Sequence, residues 1–512
     1  MTDRIVLDFN DYLDRVRGCW LGKSIGGTLG GIHEGKEYVL GLDFYDPVPT
    51  EQEPNDDLDI QVVWLRMLEE TGLPPRLATL GEWWLKCLTS WPPNEYGFCT
   101  RNLNRGLRPP ISGCFENYYV DEMGSPIRSE IWACLAPGDP GLAAWLAWHD
   151  SMLDHSGGEG MHGEMFWAAV ESAAFVERDV HKLLRIGLNM IPVHSQISRA
   201  VREAIWCHGN GLAWAEARER IRRAFVFGAG APGLRSGNGP RACHAAVNHG
   251  FTVMGWLYGK GFGDSLCKAV NCGFDTDCTG ATLGALLGIL GGADAIPARW
   301  LEPVGQRVIL HHFTQLEGAP ETINDLTERT AKLARQTPAA LPADFVFGEK
   351  TELPADLESL LVRNDRALLA RDRDIHSAVE DRNNLAVTFH YGGEPVLHPG
   401  LARTVGVSLE FDGSSVKGEI ELQAPKGWSV EPTGALFDQQ RFILRAAEVP
   451  NRNTLTVTAR AAGKETRAEF AILGPGEAKG YPAGTNVPRC RKCYAWEGAC
   501  ACDRRPVKKK EA

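Results

Sequence analysis

The sequence predicts a multidomain chain: an all-α domain at residues 1–375, a small β-sandwich at 383–475 and a Cys-containing tail at 476–512. Three observations predict it. A length of 512 residues exceeds what one hydrophobic core usually serves, so two domains are the default expectation. Apolar residues recur at helical spacing through the first part and, after Asp381, at every second residue. The last stretch, CRKCYAWEGACACDRRPVKKK, sets paired cysteines among basic residues and is expected to be disordered or zinc-binding.

Composition narrows the function classes. Hydrophobic content of 44% and charged content of 23% are those of an ordinary soluble globular protein. A net charge of -11 argues against nucleic acid or an anionic membrane as the main partner, because both need a basic surface, although local arginines can still hold a small anionic substrate. The N-terminal MTDRIVLDFNDYLDRVRG lacks the apolar core of a signal peptide, and no run reaches the length of a membrane span. Of the 14 cysteines, ten are scattered singly, as buried thiols in a reducing compartment would be. These features place the expected location in the cytoplasm.

The elements follow in order. Gly18, Gly22, Gly26 and Gly30 stand four apart in an early helix, a spacing that suits close helix packing; Arg17, Lys23 and His33 argue against a membrane dimer. Ile60, Val63, Trp64, Met67 and Leu68 form one helical face, preceded by Asn55, Asp56 and Asp57 and closed by Gly72 and Pro74. Acidic residues at a helix start also serve as simple caps. Residues 77–88 and 133–149 read as helices, and 91–129, rich in Pro, Gly and Asn, reads as a long irregular segment of the kind that carries function. A helix ends near His155, glycines break the chain, and another helix starts near Gly163.

Residues 181–227 read as helical, with a solvated charged surface. GAGAPG at 228–233 fits the dinucleotide pattern G-x-G-x-x-G, but Pro232 prevents it from opening a helix, so it reads as a loop. His244 and His249 read as packed helix residues. Residues 271–292, NCGFDTDCTGATLGALLGILGG, put Asp275 and Asp277 in a turn before a helix with Gly280, Gly284 and Gly288 four apart. Two carboxylates at i and i+2 on a turn can converge on one hard cation, while the glycines let a neighbouring backbone approach. Helices at 322–334 and 356–370 finish the helical part. Strands follow, with alternation at Leu385, Val387, Phe389 and Tyr391, at Val405, Val407, Leu409 and Phe411, and at Leu455, Val457 and Ala459. In the tail, Cys490, Cys493, Cys500 and Cys502 could bind Zn2+ through four thiolates, with free or disulfide-linked thiols as the rival reading.

PNDDLDIQ and GFDTDCTGATLGALLG together resemble the ADP-ribosylglycohydrolase family, also called the dinitrogenase-reductase-activating glycohydrolase family, over roughly the first 300 residues. The resemblance implies an ADP-ribosylglycohydrolase-like all-α domain in which Asp56, Asp57, Asp275 and Asp277 bind two Mg2+ ions, or Mn2+. It implies Asn55 and Thr279 as further metal ligands, and Glu34, at the end of a loop matching the family's Pro-x-Glu-Gly, as a site carboxylate. NYYVDEMGSPIRSE is similar to the family's loop over ribose and adenine, which marks Asn117, Gly124, Ser125, Ile127, Arg128 and Ser129 as substrate-binding, with Tyr118 or Tyr119 able to stack on a base. His155 occupies the position of the family's His. APKGWSVEP resembles small immunoglobulin-like domains appended to carbohydrate-active enzymes.

Cleaving a ribosyl bond requires stabilising an oxocarbenium-like centre, positioning water and helping the leaving group depart. Carboxylate-held Mg2+ can orient ribose hydroxyls and polarise water, with Glu34, Asp57 and Asp275 as candidate catalytic carboxylates. The chain departs from the family at Lys23, where many members have Asp, at Asn55, and at Cys278, which stands where the family has a ligating Thr. Either Thr279 takes over, or water fills the gap, or the site takes a softer ion such as Mn2+. Three functions remain open: a metal-dependent hydrolase of a small-molecule or protein-linked ADP-ribosyl group, a glycosidase for another ribosyl or sugar conjugate, and a catalytically silent ADP-ribose-binding module.

Overall fold

Glycine spacing in the sequence becomes a helix pair in the fold. The computed structural model describes residues 4–88, 95–117, 119–226 and 241–477, and its chain divides into two compact units. The first unit holds residues up to Pro75, Asp121–Trp148 and Gly158–Asp372; the second holds Arg76–Val120, His149–Gly157 and the chain from Arg373. The cysteines at 490, 493, 500 and 502, the GAGAPG loop and Tyr118 lie outside the described residues.

In the first unit, α1 (Phe9–Gly31) starts at Asp8, whose carboxylate accepts from the backbone N–H groups of Asn10 and Asp11. The next helix, α2 (Asp56–Thr71), is capped by Asn55, which accepts from the N–H of Asp57. Beyond residues 76–120 come α6 (Ser129–Leu135), α7 (Pro140–Ser151), α8 (Glu159–Ala173), α9 (Val180–Met190), α10 (Gln196–Gly209), α11 (Trp214–Val226), α12 (Ala245–Tyr258), α13 (Phe262–Val270) and α14 (Thr276–Gly291). Short helices α15 (Ala298–Leu301), α17 (Thr337–Ala340), α18 (Leu357–Leu361) and α19 (Asp365–Arg371) flank and follow α16 (Ile323–Ala334). Among the described residues no helix is long and apolar enough to cross a membrane.

α1 and α14 run antiparallel with Gly18 against Gly288, Gly22 against Gly284, Gly26 against Gly280 and Gly30 against Thr276. A Cβ on any of these glycines of α1 would overlap a carbonyl oxygen of α14, so the two backbones touch where side chains would normally separate them. The flanks are filled by Trp20, Leu21, Ile25, Leu283 and Ile289, all buried.

Several expectations shift at the level of elements. Residues 133–149 hold parts of two helices, α6 ending at Leu135 and α7 starting at Pro140, with Pro137 and Gly138, the latter at positive φ, in the gap. Residues 181–227 hold α9, α10 and α11. The helix expected near Gly163 begins at Glu159. The irregular segment 91–129 contains α4 (Glu95–Asn104), α5 (Ile111–Cys114) and a 3-10 turn at Pro126–Arg128, all too short for a helical period to show through the glycines and prolines around them. A two-stranded parallel ribbon, β1 (Ile5–Asp8) with β2 (Phe345–Gly348), gives no sequence signal because each strand has four residues.

The second unit is rich in sheet. One sheet has the order β3 (Ser377–Glu380), β4 (Leu385–His390), β5 (Arg403–Phe411), β9 (Gln439–Ala446) and β8 (Trp428–Leu436), with β6 (Ser414–Ser415) pairing to β5. A second sheet orders β11 (Lys464–Leu473), β10 (Arg452–Ala461) and β7 (Glu419–Gln423). Alternation sends Val387, Phe389, Val405 and Leu444 from one sheet, and Leu422, Leu455, Val457 and Phe470 from the other, into one hydrophobic core. Leu107, Ile111 and Phe115 join the same core. Asp381, just after β3, accepts from the N–H groups of Leu77 and Ala78 at 2.8 and 3.0 Å and so caps α3 (Leu77–Cys87), which has no cap of its own.

The helix contact predicts the effect of one methyl group. Alanine is the better helix former by about 1 kcal/mol, but forcing a packed interface apart costs about 1–3 kcal/mol or more. Gly22→Ala is therefore expected to lower stability by about 2 kcal/mol in a denaturant titration; an unchanged or higher midpoint would show that the helices are not in backbone contact.

Candidate metal centre

The register of α1 on α14 delivers the end of one helix to the start of the other. The Thr276 hydroxyl donates to the Gly30 carbonyl at 2.8 Å, and beyond it the two flanking loops are stitched by Gly35 N–H to Phe274 O and Phe274 N–H to Lys36 O, both 2.9 Å. Gly273 and Phe274 both sit at positive φ, 72° and 73°. A Cβ at Gly273 would strike the carbonyls of Lys36 and Tyr38, and the strain at Phe274, about 1–3 kcal/mol for such a conformation, is held by the burial of its ring against Phe251. Arg218 locks the same turn by donating to the Cys272 carbonyl at 2.8 and 3.0 Å and to that of Glu37 at 2.8 Å.

Two groups of potential ligand atoms result. Asp57, Asp277 and Cys278 offer donor atoms that all lie within 4.8 Å of one another, and so do Glu34, Asp275 and Asp277. Asp277 belongs to both. Asp57, Asp275, Asp277 and Cys278 are only 1%, 2%, 7% and 7% exposed, whereas Glu34 faces solvent. The N-terminus of α2 is tied to that of α14 by Asn55 Nδ2 donating to Asp277 Oδ2 at 3.3 Å and Cys278 Sγ donating to Asp57 Oδ1 at 3.4 Å. Asp57 Oδ2, Asp275 Oδ1 and Asp277 Oδ1 are buried with no hydrogen-bond partner.

Such a cluster lacks positive charge. Burial pushes Asp57 well above the usual carboxylate range; Lys23 opposes this, while Asp277 and Asp56 add to it. Asp275 is likewise raised well above that range, first by burial and then by Asp277 and Glu34. The Cys278 thiol rises for the same reasons, burial first and then Asp275 and Asp277. Two helix N-termini favour the negative charges, but each such effect is worth only about 0.3–1 kcal/mol. Oxygen donors in this arrangement could hold a divalent cation, and the unpartnered carboxylate oxygens fit that group.

Behind Asp57 lies a buried ion pair. Lys23 Nζ contacts Glu130 Oε1 at 2.8 Å and donates to the Ile127 carbonyl at 2.9 Å. Burial alone would push the Lys23 ammonium down, yet Glu130 and Asp57 leave it above its ordinary value. Gln61, one helical turn from Asp57, donates to Glu130 Oε2 and to the Asp57 carbonyl, both at 2.8 Å, and accepts from the N–H of Ile131 at 2.7 Å. Asn248 on α12 accepts from the Asp275 N–H at 3.2 Å. Gln61, Glu130 and Asn248 join the site only through the fold; of the three, only Gln61, at i+4 from Asp57, carries a local signal in the sequence.

The remaining candidates divide by unit. Gly124, Ser125, Arg128 and Ser129 belong to the first, where Ser125 donates to Glu164, Arg128 donates to the Gly124 carbonyl at 2.9 Å, and Ser125, Arg128 and Ser129 are fully buried. Asn117 and His155 belong to the second, where Asn117 donates to the carbonyls of Gly113 and Asp154 at 2.9 and 2.7 Å, beside the buried His155, whose Nδ1 is 3.1 Å from Asp154. Thr279 is buried in α14, its hydroxyl donating to the Thr276 carbonyl at 3.2 Å.

A family model described as ADP-ribosylglycohydrolase matches residues 8–339. The chain belongs to the ADP-ribosylglycohydrolase family. The match takes in α1 through α16 and every acidic residue of the two ligand groups, and it ends before the sheets. A solved structure described as an ADP-ribosylglycohydrolase-related protein complex is similar at 19% identity and a TM-score of 0.40, over 64% of this chain and 97% of that one. No curated protein matches the sequence.

In this glycohydrolase-family domain α12 also carries His249, buried, stacked on Trp167 at 5.7 Å, with Nδ1 2.7 Å from the Ala245 carbonyl. Burial lowers its pKa to about 4, so the folded state keeps it neutral. The unfolded chain binds this proton near pH 6.5, so the group's contribution is present above about pH 6.5 and is lost as pH falls toward about 4. Stability is expected to drop by up to about 3 kcal/mol across that window, measured as the difference in pH dependence between the native chain and His249→Gln; equal slopes would show that His249 is not held neutral.

Proposed function

We propose that the chain is a metal-dependent hydrolase of an ADP-ribosyl linkage, N- or O-glycosidic, with two Mg2+ or Mn2+ ions at the acidic centre. The observation that carries this reading is the sharing of Asp277 by two three-ligand groups in which three buried carboxylate oxygens, Asp57 Oδ2, Asp275 Oδ1 and Asp277 Oδ1, have no hydrogen-bond partner. Asp57, Asp277 and the neighbouring Asp56 and Asn55 would hold one ion, and Glu34, Asp275 and Asp277 the other. When bound, such ions orient ribose hydroxyls and polarise water. Glu34, exposed at the edge of the cluster, would accept a proton from attacking water, and Asp275, whose N–H bonds Asn248, would hold that water by hydrogen bond. The buried Lys23–Glu130 pair holds the Gln61 side chain, which in turn donates to the Asp57 carbonyl. The backbone around Gly124 is the proposed ribose- and adenine-facing segment. The sheet-rich region is proposed to be an immunoglobulin-like sandwich.

The reading predicts that ADP-ribose is released from an ADP-ribosylated arginine or serine peptide in the presence of Mg2+ or Mn2+, that EDTA stops the release and that added metal restores it. Asp277→Asn, which weakens both ligand groups at once, is expected to reduce the rate at least about a hundredfold. Tight ADP-ribose binding without turnover would identify a silent binding module, and neither binding nor turnover would point to another sugar conjugate.

A further inference from the structure

We infer that Cys278 is itself a ligand in the Asp57 and Asp277 group, so that this half of the centre takes a borderline-soft divalent cation such as Co2+ or Zn2+, while the all-oxygen group of Glu34, Asp275 and Asp277 suits Mg2+. The inference rests on the metal-centre reading above. Its first support is distance. Cys278 Sγ lies 3.4 Å from Asp57 Oδ1. Oxygen and sulfur ligands about 2.0 and 2.3 Å from one tetrahedral ion stand about 3.5 Å apart. The separation already present is therefore the one a shared ion requires, and Asp277 closes the third corner within the same 4.8 Å.

The second support comes from unpartnered oxygens. Asp57 Oδ2 and Asp277 Oδ1 are buried without any hydrogen bond, in side chains more than nine-tenths buried, next to the sulfur. A thiol that merely filled space would donate its one proton to Asp57 Oδ1 and leave both oxygens unsatisfied. The third is the loss of the competing hard donor. Thr279 is the nearest hydroxyl in sequence, and it is turned into its own helix to bond Thr276. A carboxylate pair plus a sulfur selects against Mg2+, which needs oxygen in octahedral array, and toward cations that accept sulfur. On binding, the S–H bond breaks, its proton leaves to solvent, and a sulfur lone pair forms the metal bond; the metal keeps its oxidation state.

The test uses the full chain with Cys490, Cys493, Cys500 and Cys502 all changed to Ser, so that the tail thiols contribute nothing. Loaded with Co2+, the protein that retains Cys278 is expected to show the near-ultraviolet charge-transfer absorption of a cobalt–thiolate bond. Cys278→Ser should lose that band while still taking up cobalt, and Cys278→Thr should lose it and shift the Zn2+ to Mg2+ affinity ratio toward Mg2+ by about tenfold or more. Identical spectra with and without Cys278, at equal cobalt uptake, would overturn the inference and leave the metal centre standing. No uptake of Co2+, Mn2+ or Mg2+ by calorimetry would overturn both.

Discussion

Everything at the acidic centre depends on the backbone contact between α1 and α14. Four glycines on α1 meet three glycines and Thr276 on α14, so the two backbones touch, and the Thr276 hydroxyl on the Gly30 carbonyl sets the register of the pair. That fixed register brings the loop after α1 against the turn before α14. It is why Glu34, two residues beyond Ile32, stands beside an aspartate more than two hundred positions away. Close packing here fixes the position of charges as well as the shape of the core.

The electrostatics follow from that geometry. Several carboxylates and one thiol are pressed together at the starts of α2 and α14, where burial opposes charge and the carboxylates oppose one another. Helix dipoles and Lys23 relieve only part of this. A cluster of like charges is kept in a folded protein when something of opposite sign completes it. Phe274, held at positive φ by a buried ring and by the hydrogen bonds of its loop, is a second sign that the turn is built to hold Asp275 and Asp277 in place.

Much of this was legible in advance. Asn55 to Asp57 before an amphipathic helix, and Asp275 and Asp277 before a glycine-spaced one, are local patterns that a reader finds without coordinates. The drop of the apolar period from 3.6 to 2 after Asp381 likewise marks where sheet begins, since alternation is a property of each strand by itself. Less was legible where elements are short. α4 and α5 hide among Pro, Gly and Asn, and β1 and β2 have too few residues to show a period. The unit that holds the strands also takes in residues 76–120 and 149–157, which period alone assigns to the helical part. Their place is set by Asp381 on α3 and by Leu107, Ile111 and Phe115 in the sheet core.

The sequence by itself determined the long helices and the strands after Asp381, where the acidic residues fall on their helices, and that the glycine-spaced helices allow a backbone to approach closely, because each of these is a matter of neighbours along the chain. The tertiary structure alone decided that Cys278 and not Thr279 turns toward Asp57, that Lys23 is paired with Glu130, and that Asp277 belongs to two ligand groups at once. These are contacts across a hundred or more positions, set by how α2, α6 and α14 pack on α1. A hundred-degree step along a helix changes which side chain faces the centre, and no local pattern records the choice.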